Sequence, residues 1–205
     1  QAYLELNAPD TALMQLKTAA AYTRDRDEKG RYFFIIGQLY NQLGYKDSAN
    51  LAFDRIIEMN RRVPRVYWVN AHLKKIQNTP VSAENRDFLN EYLTELEENR
   101  ENRPFLDKIY RQRALFFRET GSDSLALRYY NLSLRATNQD PVINALNYTD
   151  LADHYFDENQ YRAAGAYYDS VLLNLPENTR EFRSIRKKRD NLDDVIAYEE
   201  VVQYT

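Results

Sequence analysis

The 205-residue chain predicts an all-α fold, an α-solenoid of stacked antiparallel helix hairpins closed by a C-terminal capping helix. Two observations predict it. One pattern of large and small residues recurs along the chain, and glycine and proline are scarce, with 5 Gly and 6 Pro. The pattern is fullest from Leu146 to Pro176, which reads Tyr148-x2-Leu151-Ala152-x2-Tyr155, then Ala164-x3-Tyr168, then Val171 and Pro176. Ala152 and Ala164 are small where two antiparallel helices would cross, while Tyr148, Leu151, Tyr155 and Tyr168 fill the space around them. One hairpin cannot bury that face alone, so copies are expected.

The copies are present. Phe33-x2-Ile36-Gly37-x2-Tyr40 with Gly44 and Ala49-x3-Phe53 repeats the pattern upstream, and Tyr110-x2-Arg113-Ala114-x2-Phe117 with Gly121 and Ala126-x3-Tyr130 repeats it again. Gly37, Ala114 and Ala152 share one small-residue slot at separations of 77 and 38 residues, which leaves room for a fourth unit. That unit, Val66 to Glu98, is divergent: Trp68 keeps the aromatic slot, His72 and Lys75 replace the small residue and the Tyr, and the turn lengthens at Asn78-Thr79-Pro80-Val81. The alternation is that of the tetratricopeptide (TPR) helix pair, with Tyr in its Trp and Phe slots.

Taken in order, 1–205 reads as a single array. An incomplete first repeat covers 1–30: Ala2–Leu6 ends one helix, Pro9-Asp10-Thr11 restarts the chain, and Ala12, Leu13, Leu16, Ala19, Ala20 and Tyr22 form a helical stripe. Arg24 to Gly30 reads as a solvated, charged connection. The repeat over 31–64 has helices at 31–43 and 47–59, with Asp47-Ser48 as a polar cap. The degenerate repeat over 65–104 has helices at 65–77 and 82–98, and its polar run Glu95 to Arg103 reads as a frayed end. The repeats over 105–141 and 142–176 have helices at 105–119, 123–137, 142–157 and 160–173. Over 177–205, Asn178-x-x-Glu181 has capping-box spacing before one helix of about 24 residues, with Phe182, Ile185, Leu192, Val195, Ile196 and Val202 on its buried face.

Composition narrows the function. A net charge of −3 gives no electrostatic reason to expect nucleic acid, and no stretch approaches the roughly 18 apolar residues of a membrane span. The absence of Cys excludes disulfides, thiolate zinc sites and Cys catalysis. No catalytic constellation is legible, and a non-enzymatic protein with no cofactor and no metal is expected. His72 and His154 each fall inside a helix and read as structural. Asp150, Asp153 and Asp157 share a helix face that reads as solvated rather than as a cation site. Many of the 17 Tyr, among them Tyr40, Tyr110, Tyr130, Tyr148, Tyr155 and Tyr168, occupy repeat slots. The sequence begins at Gln1, inside a helical pattern, which reads as an excerpt of a longer chain.

The remaining candidate is a surface. First helices of successive hairpins line the concave face of such arrays, and periodicity places Phe34, Gln38 and Asn41, then Arg111, Leu115 and Arg118, then Thr149, Asp153 and Phe156 on it. This mixed polar and aromatic set suits a protein segment. The alternative is a basic surface, Arg183, Arg186 and Lys187, within a run that also holds Arg180, Lys188 and Arg189. There the first half of the predicted last helix carries charge that its dipole disfavours.

Several longer stretches resemble a known family. They are Leu106-Asp107-Lys108-Ile109-Tyr110, Gly121 to Tyr130, Tyr161 to Ser170, and upstream Gly37-Gln38-Leu39-Tyr40 with Val69-Asn70-Ala71. Together with the long last helix, they resemble the SprE/PorW family of periplasmic TPR lipoproteins. The resemblance implies a scaffold of the type IX secretion system, required for protein transport and in some bacteria for gliding motility. It would be lipid-anchored to the outer membrane, and its protein partners would be ring, motor or outer-membrane translocon components. The rival expectation is a ligand-sensing periplasmic TPR domain of a signalling protein such as a sensor kinase.

Overall fold

In the computed structural model the described residues are 9–137 and 140–203, with side chains described over 10–137 and 140–197. All regular structure among them is helical, and the helices pack in neighbouring pairs. The chain divides into two compact units, residues 1–105 and 106–205.

The first unit holds α1 (Pro9–Tyr22), α2 (Arg26–Gln42), α3 (Lys46–Met59), α4 (Arg65–Asn78) and α5 (Arg86–Glu98), with 3-10 turns at Asn60–Arg62 and Arg100–Phe105. The second holds α6 (Leu106–Glu119), α7 (Asp123–Leu134), α8 (Pro141–Asp157), α9 (Tyr161–Asn174), α10 (Arg180–Asp190) and α11 (Leu192–Gln203). The closest pairs are α2 with α3, α6 with α7, and α8 with α9, and each closes over the small-residue slot. A Cβ on Gly37 would lie 2.4 Å from Phe53 Cε1, so the ring of α3 rests directly on the glycine. Ala114, Ala152 and Ala164 are fully buried, as the crossing requires, with Tyr130 and Tyr168 filling the adjoining space. Cores built this way are small and local, one to each pair and its neighbours.

The three pairs also turn in the same way. Gly44, Gly121 and Asn159 adopt positive φ (83°, 72° and 58°) at the equivalent position. In each, the amide of the next residue reaches back to the carbonyl of an aromatic residue: Tyr45 to Tyr40, Ser122 to Phe117, Gln160 to Tyr155, all at 2.8 Å. This is the Schellman closure, which satisfies carbonyls the helix end leaves free. It reverses the chain within a few residues, so each second helix folds back onto the face its first helix presents.

The divergent pair differs for a visible reason. His72 stands where Gly37, Ala114 and Ala152 stand, and its ring sits between Trp68 (centroids 3.8 Å) and Tyr92 (5.4 Å). With a ring in the slot, α4 and α5 do not approach as the other pairs do. Both instead pack on the Arg100–Phe105 turn.

Several local expectations are corrected. Arg24 to Gly30 is solvated as far as Glu28 but is a connection only as far as Asp25: α2 begins at Arg26, Asp25 caps it by accepting from the amides of Asp27 and Glu28, and Gly30 is buried against Val63. Asp47-Ser48 does not cap α3, which starts at Lys46 from the Schellman turn with no side-chain cap. Residues 82–85 form a turn in which the Ser82 amide donates to Asn85 Oδ1, so α5 starts at Arg86. Thr179, not Asn178, caps α10 through the Phe182 amide. Tyr22 is 83% exposed rather than part of the α1 stripe, and Val195 is exposed as well. Ala2–Leu6 lies outside the described residues and Val202 outside the described side chains.

The run Glu95 to Arg103 is ordered by a buried amide rather than frayed. Asn102 is fully buried, donates to the Leu96 carbonyl at 2.8 Å and accepts from Arg65 Nε at 2.8 Å. The last helix is two helices. α10 ends at Asp190, so Lys187, Lys188 and Arg189 occupy its last turn, while Asp193 and Asp194 open α11. Cations at a helix C-terminus and carboxylates at an N-terminus both complement the dipole, so the expected dipole penalty is absent for these three cations. Both helices lie on α9, where Gly165 leaves space for Ile196.

Candidate interaction surfaces

In each unit the first helix of one pair lies beside the first helix of the next: α2 beside α4, and α6 beside α8. Of the residues that sequence periodicity places on the inward face of these helices, Phe34, Asn41, Arg111 and Arg118 make contacts across those seams, whereas Gln38 is exposed, Leu115 packs on α7, and Thr149, Asp153 and Phe156 face the clefts beside α10 and α11. In the first unit the Phe34 ring packs against Phe53 (6.0 Å) and Tyr67 (5.8 Å), so much of its surface is committed to the core. Asn41 Oδ1 accepts from Asn78 Nδ2 at 2.8 Å, tying α2 to α4, and the same amide donates to Asn50. Gln38 is exposed.

In the second unit the seam is polar and continuous. Ser133 donates to the Asp107 carbonyl (2.6 Å), Asn147 Nδ2 donates to Ser133 Oγ (2.7 Å), and Arg111 donates to Asn147 Oδ1 (2.8 Å). The Arg111 guanidinium also lies 2.8 Å from Asp150 Oδ2, an ion pair not aligned for a hydrogen bond, with both side chains largely buried. Arg118 donates to Asp150 Oδ1 at 2.7 Å from a more open position. Asp150 is therefore neither a solvated group nor a cation ligand but the counter-charge of two arginines. Burial, with the Asp150 charge adding to it, raises the neighbouring Tyr130 phenol to about 12. Leu115 is half-buried against the α6–α7 core, and Thr149 donates to the Ala145 carbonyl on its own helix.

Asp153 accepts from the Tyr168 hydroxyl at 2.5 Å and pairs with Lys188 at 3.2 Å. Phe156, 43% exposed, stands edge-on to Tyr161. The two rings, with Asp153, Lys188, Leu192 and Val195, line a cleft of about 620 Å³. A second cleft of about 570 Å³ between α8 and α10 is lined by Val142, Leu146, Thr149, Leu175, Arg180 and Ile185. Of the basic set, Arg183 and Lys187 are exposed, and Arg186 lies over the Phe182 ring at 4.9 Å. Lys188 and Arg189 are engaged by Asp153, and by Asp169 and Asp193.

His72 is a core group. Burial, helped by Lys75 and Arg65, depresses its pKa to about 4, and its Nδ1 is hydrogen-bonded to the Tyr92 hydroxyl. The Arg65 guanidinium covers Trp68 at 3.7 Å, completing a stack of four side chains along α4 and α5. His154 is half-buried against Tyr155.

Sequence reasoning did not find Asn102, Ser133 and Asn147, which are fully buried polar anchors. For Ser133 a signal exists: it occupies the slot filled by Ile56 and Val171 in the other two pairs, visible only when the copies are laid against one another. Among the described residues no group of His, Asp and Glu is arranged to hold a metal ion, and no helix is long and apolar enough to cross a membrane. No protein-family model matches the chain, and no curated protein matches it in sequence.

Proposed function

We propose that the chain is a TPR solenoid acting as a non-enzymatic protein-interaction scaffold. In this reading it is the repeat region of a periplasmic, outer-membrane-anchored lipoprotein that connects components of the type IX secretion and gliding machinery. The observation that carries the scaffold reading is the repetition of one device. Three helix pairs share the small-residue crossing and the Schellman turn, and in each unit first helices lie side by side. Within each unit, first helices placed that way present their faces as a shared surface, while the cores stay local. The candidate polar groups are spent on holding helices together: His72 in a ring stack, Asp150 between two arginines, Asp153 on a Tyr hydroxyl. The place in the secretion machinery rests on the resemblance carried by Leu106–Tyr110, Gly121–Tyr130 and Tyr161–Ser170. Affinity capture from cell envelopes with the full-length parent tests it. Recovery of ring, motor or translocon subunits is expected, and recovery of none of them under conditions that preserve complexes contradicts it.

A further inference from the structure

The α1–α2 connection and the C-terminal end of α3 enclose an open concavity of about 660 Å³ in the first unit. Arg24, Arg26, Lys29, Arg55 and Arg62 line it, and Glu58 is the carboxylate among them. Glu58 is already engaged by Arg55 at 3.1 Å. Arg24, Arg26, Lys29 and Arg62 have no ion-pair partner among the described residues. Of the neighbouring acids, Asp25 caps α2, Glu28 accepts from the Thr23 hydroxyl at 2.9 Å, and the exposed Asp27 is not part of the lining. The contrast with α10 is informative. There Lys188 and Arg189 are neutralised internally, whereas here four cations face one cleft in a chain whose net charge is −3. Like charges gathered around one concavity repel, and an anion entering it removes that repulsion.

We propose that this concavity binds an acidic, extended segment of a partner protein. Its cations come from three stretches of chain, the α1–α2 connection, α2, and α3 with its following turn. That spread suits several carboxylates along a peptide better than one point charge. The highly exposed ring of Tyr22 and the Met59 side chain, on the same lining, offer apolar contact that a bare inorganic anion would not use. The inference rests on the scaffold reading and adds to it a second contact surface, at the end of a pair rather than along the first helices.

The test uses the purified chain and a fluorescent glutamate-rich peptide, with binding followed by anisotropy at low and high salt. Saturable binding that weakens with salt is expected. Arg24→Glu with Arg26→Glu should lower affinity by about tenfold or more. Arg183→Glu with Lys187→Glu, the same change in net charge on another surface, should leave it unchanged. Both substituted pairs are exposed, so circular dichroism and melting should match the wild type. No binding, or equal loss from both double variants, overturns the proposal. Displacement of the peptide by inorganic phosphate at equal concentration overturns it in favour of a small-anion site. Preferential binding of phosphatidylglycerol vesicles through Arg24 and Arg26 overturns it in favour of a membrane surface. Failure here with successful capture of envelope partners would remove this surface alone. Peptide binding with no capture would instead remove the proposed place in the secretion machinery.

Discussion

Replacing Gly37 by Ala adds one methyl group at the point where α2 and α3 cross, and the structure says what it meets. The new Cβ would lie 2.4, 2.6 and 2.9 Å from three atoms of the Phe53 ring. All are closer than carbon atoms tolerate, and Phe53 is fully buried with Phe34 behind it, so the ring cannot swing out to solvent. Alanine at a helix-interior position gains about 1 kcal/mol of intrinsic helix stability over glycine. Overpacking a close-packed site costs about 1–3 kcal/mol, and three simultaneous clashes with an immobile ring place this one at the upper end. The net expectation is a loss of about 1–2 kcal/mol, or roughly 2–8 °C in melting temperature for a chain of this size. Urea unfolding followed by helical circular dichroism measures it, in a double-mutant cycle with Phe53→Leu. The smaller side chain should make room, so Gly37→Ala should cost less in that background. If Gly37→Ala is as stable as wild type, or costs the same beside Leu as beside Phe, the small-residue slot is not where these helices meet.

Other outcomes follow from the same geometry. Ala164→Phe should overpack the α8–α9 crossing by about 1–3 kcal/mol or more, read as a drop in melting temperature. Asp150→Ala leaves Arg111 and Arg118 without their shared counter-charge and should cost about 3 kcal/mol in urea unfolding, while Asp157→Ala at the exposed C-terminal end of the same helix should cost little. His72 titrates near 4 in the folded chain against an ordinary 6.5, so between those values the unfolded chain binds the proton more readily. Its stabilising contribution is complete above about pH 6.5 and is lost as pH falls toward about 4. The loss is about 3 kcal/mol, and this part of the pH slope should vanish in His72→Gln. Phe34→Ala should lower stability by about 3 kcal/mol because the ring packs on Phe53 and Tyr67, whereas Phe156→Ala should not.

What the sequence made legible is what periodicity encodes. The crossing slots at Ala152 and Ala164, the turns at Gly44 and Gly121, and most helix spans follow from residue size and spacing, because close helix crossings and positive φ each admit few residue types. Asn159 performs the third turn without announcing itself, since Asn adopts positive φ in only some contexts. Helix ends were read less well where backbone closure replaced side-chain caps, as at Tyr45, and where a charged stretch hid a true cap, as at Asp25. The polar seam of the second unit was beyond reach because its hydrogen bonds join residues up to 36 apart and its Arg111–Asp150 ion pair spans 39, and period-based reading assigns Arg111 and Asp150 to faces without pairing them. The break at Asn191 was hidden for a related reason. A run of basic residues followed by acidic ones suits either one helix or two, and only packing of Leu192 and Ile196 on α9 distinguishes them.

The central claim is that partners meet the faces of the first helices. Photo-crosslinking in cells tests it most directly, with a photoreactive residue placed singly at Gln38 and Phe156 on first helices and at Leu51 and Leu173 on second helices. All four are exposed, so none should disturb folding. The account predicts adducts with the same protein partners from Gln38 and Phe156, and none from Leu51 or Leu173. Adducts from Leu51 and Leu173 alone, or from no position, would contradict it.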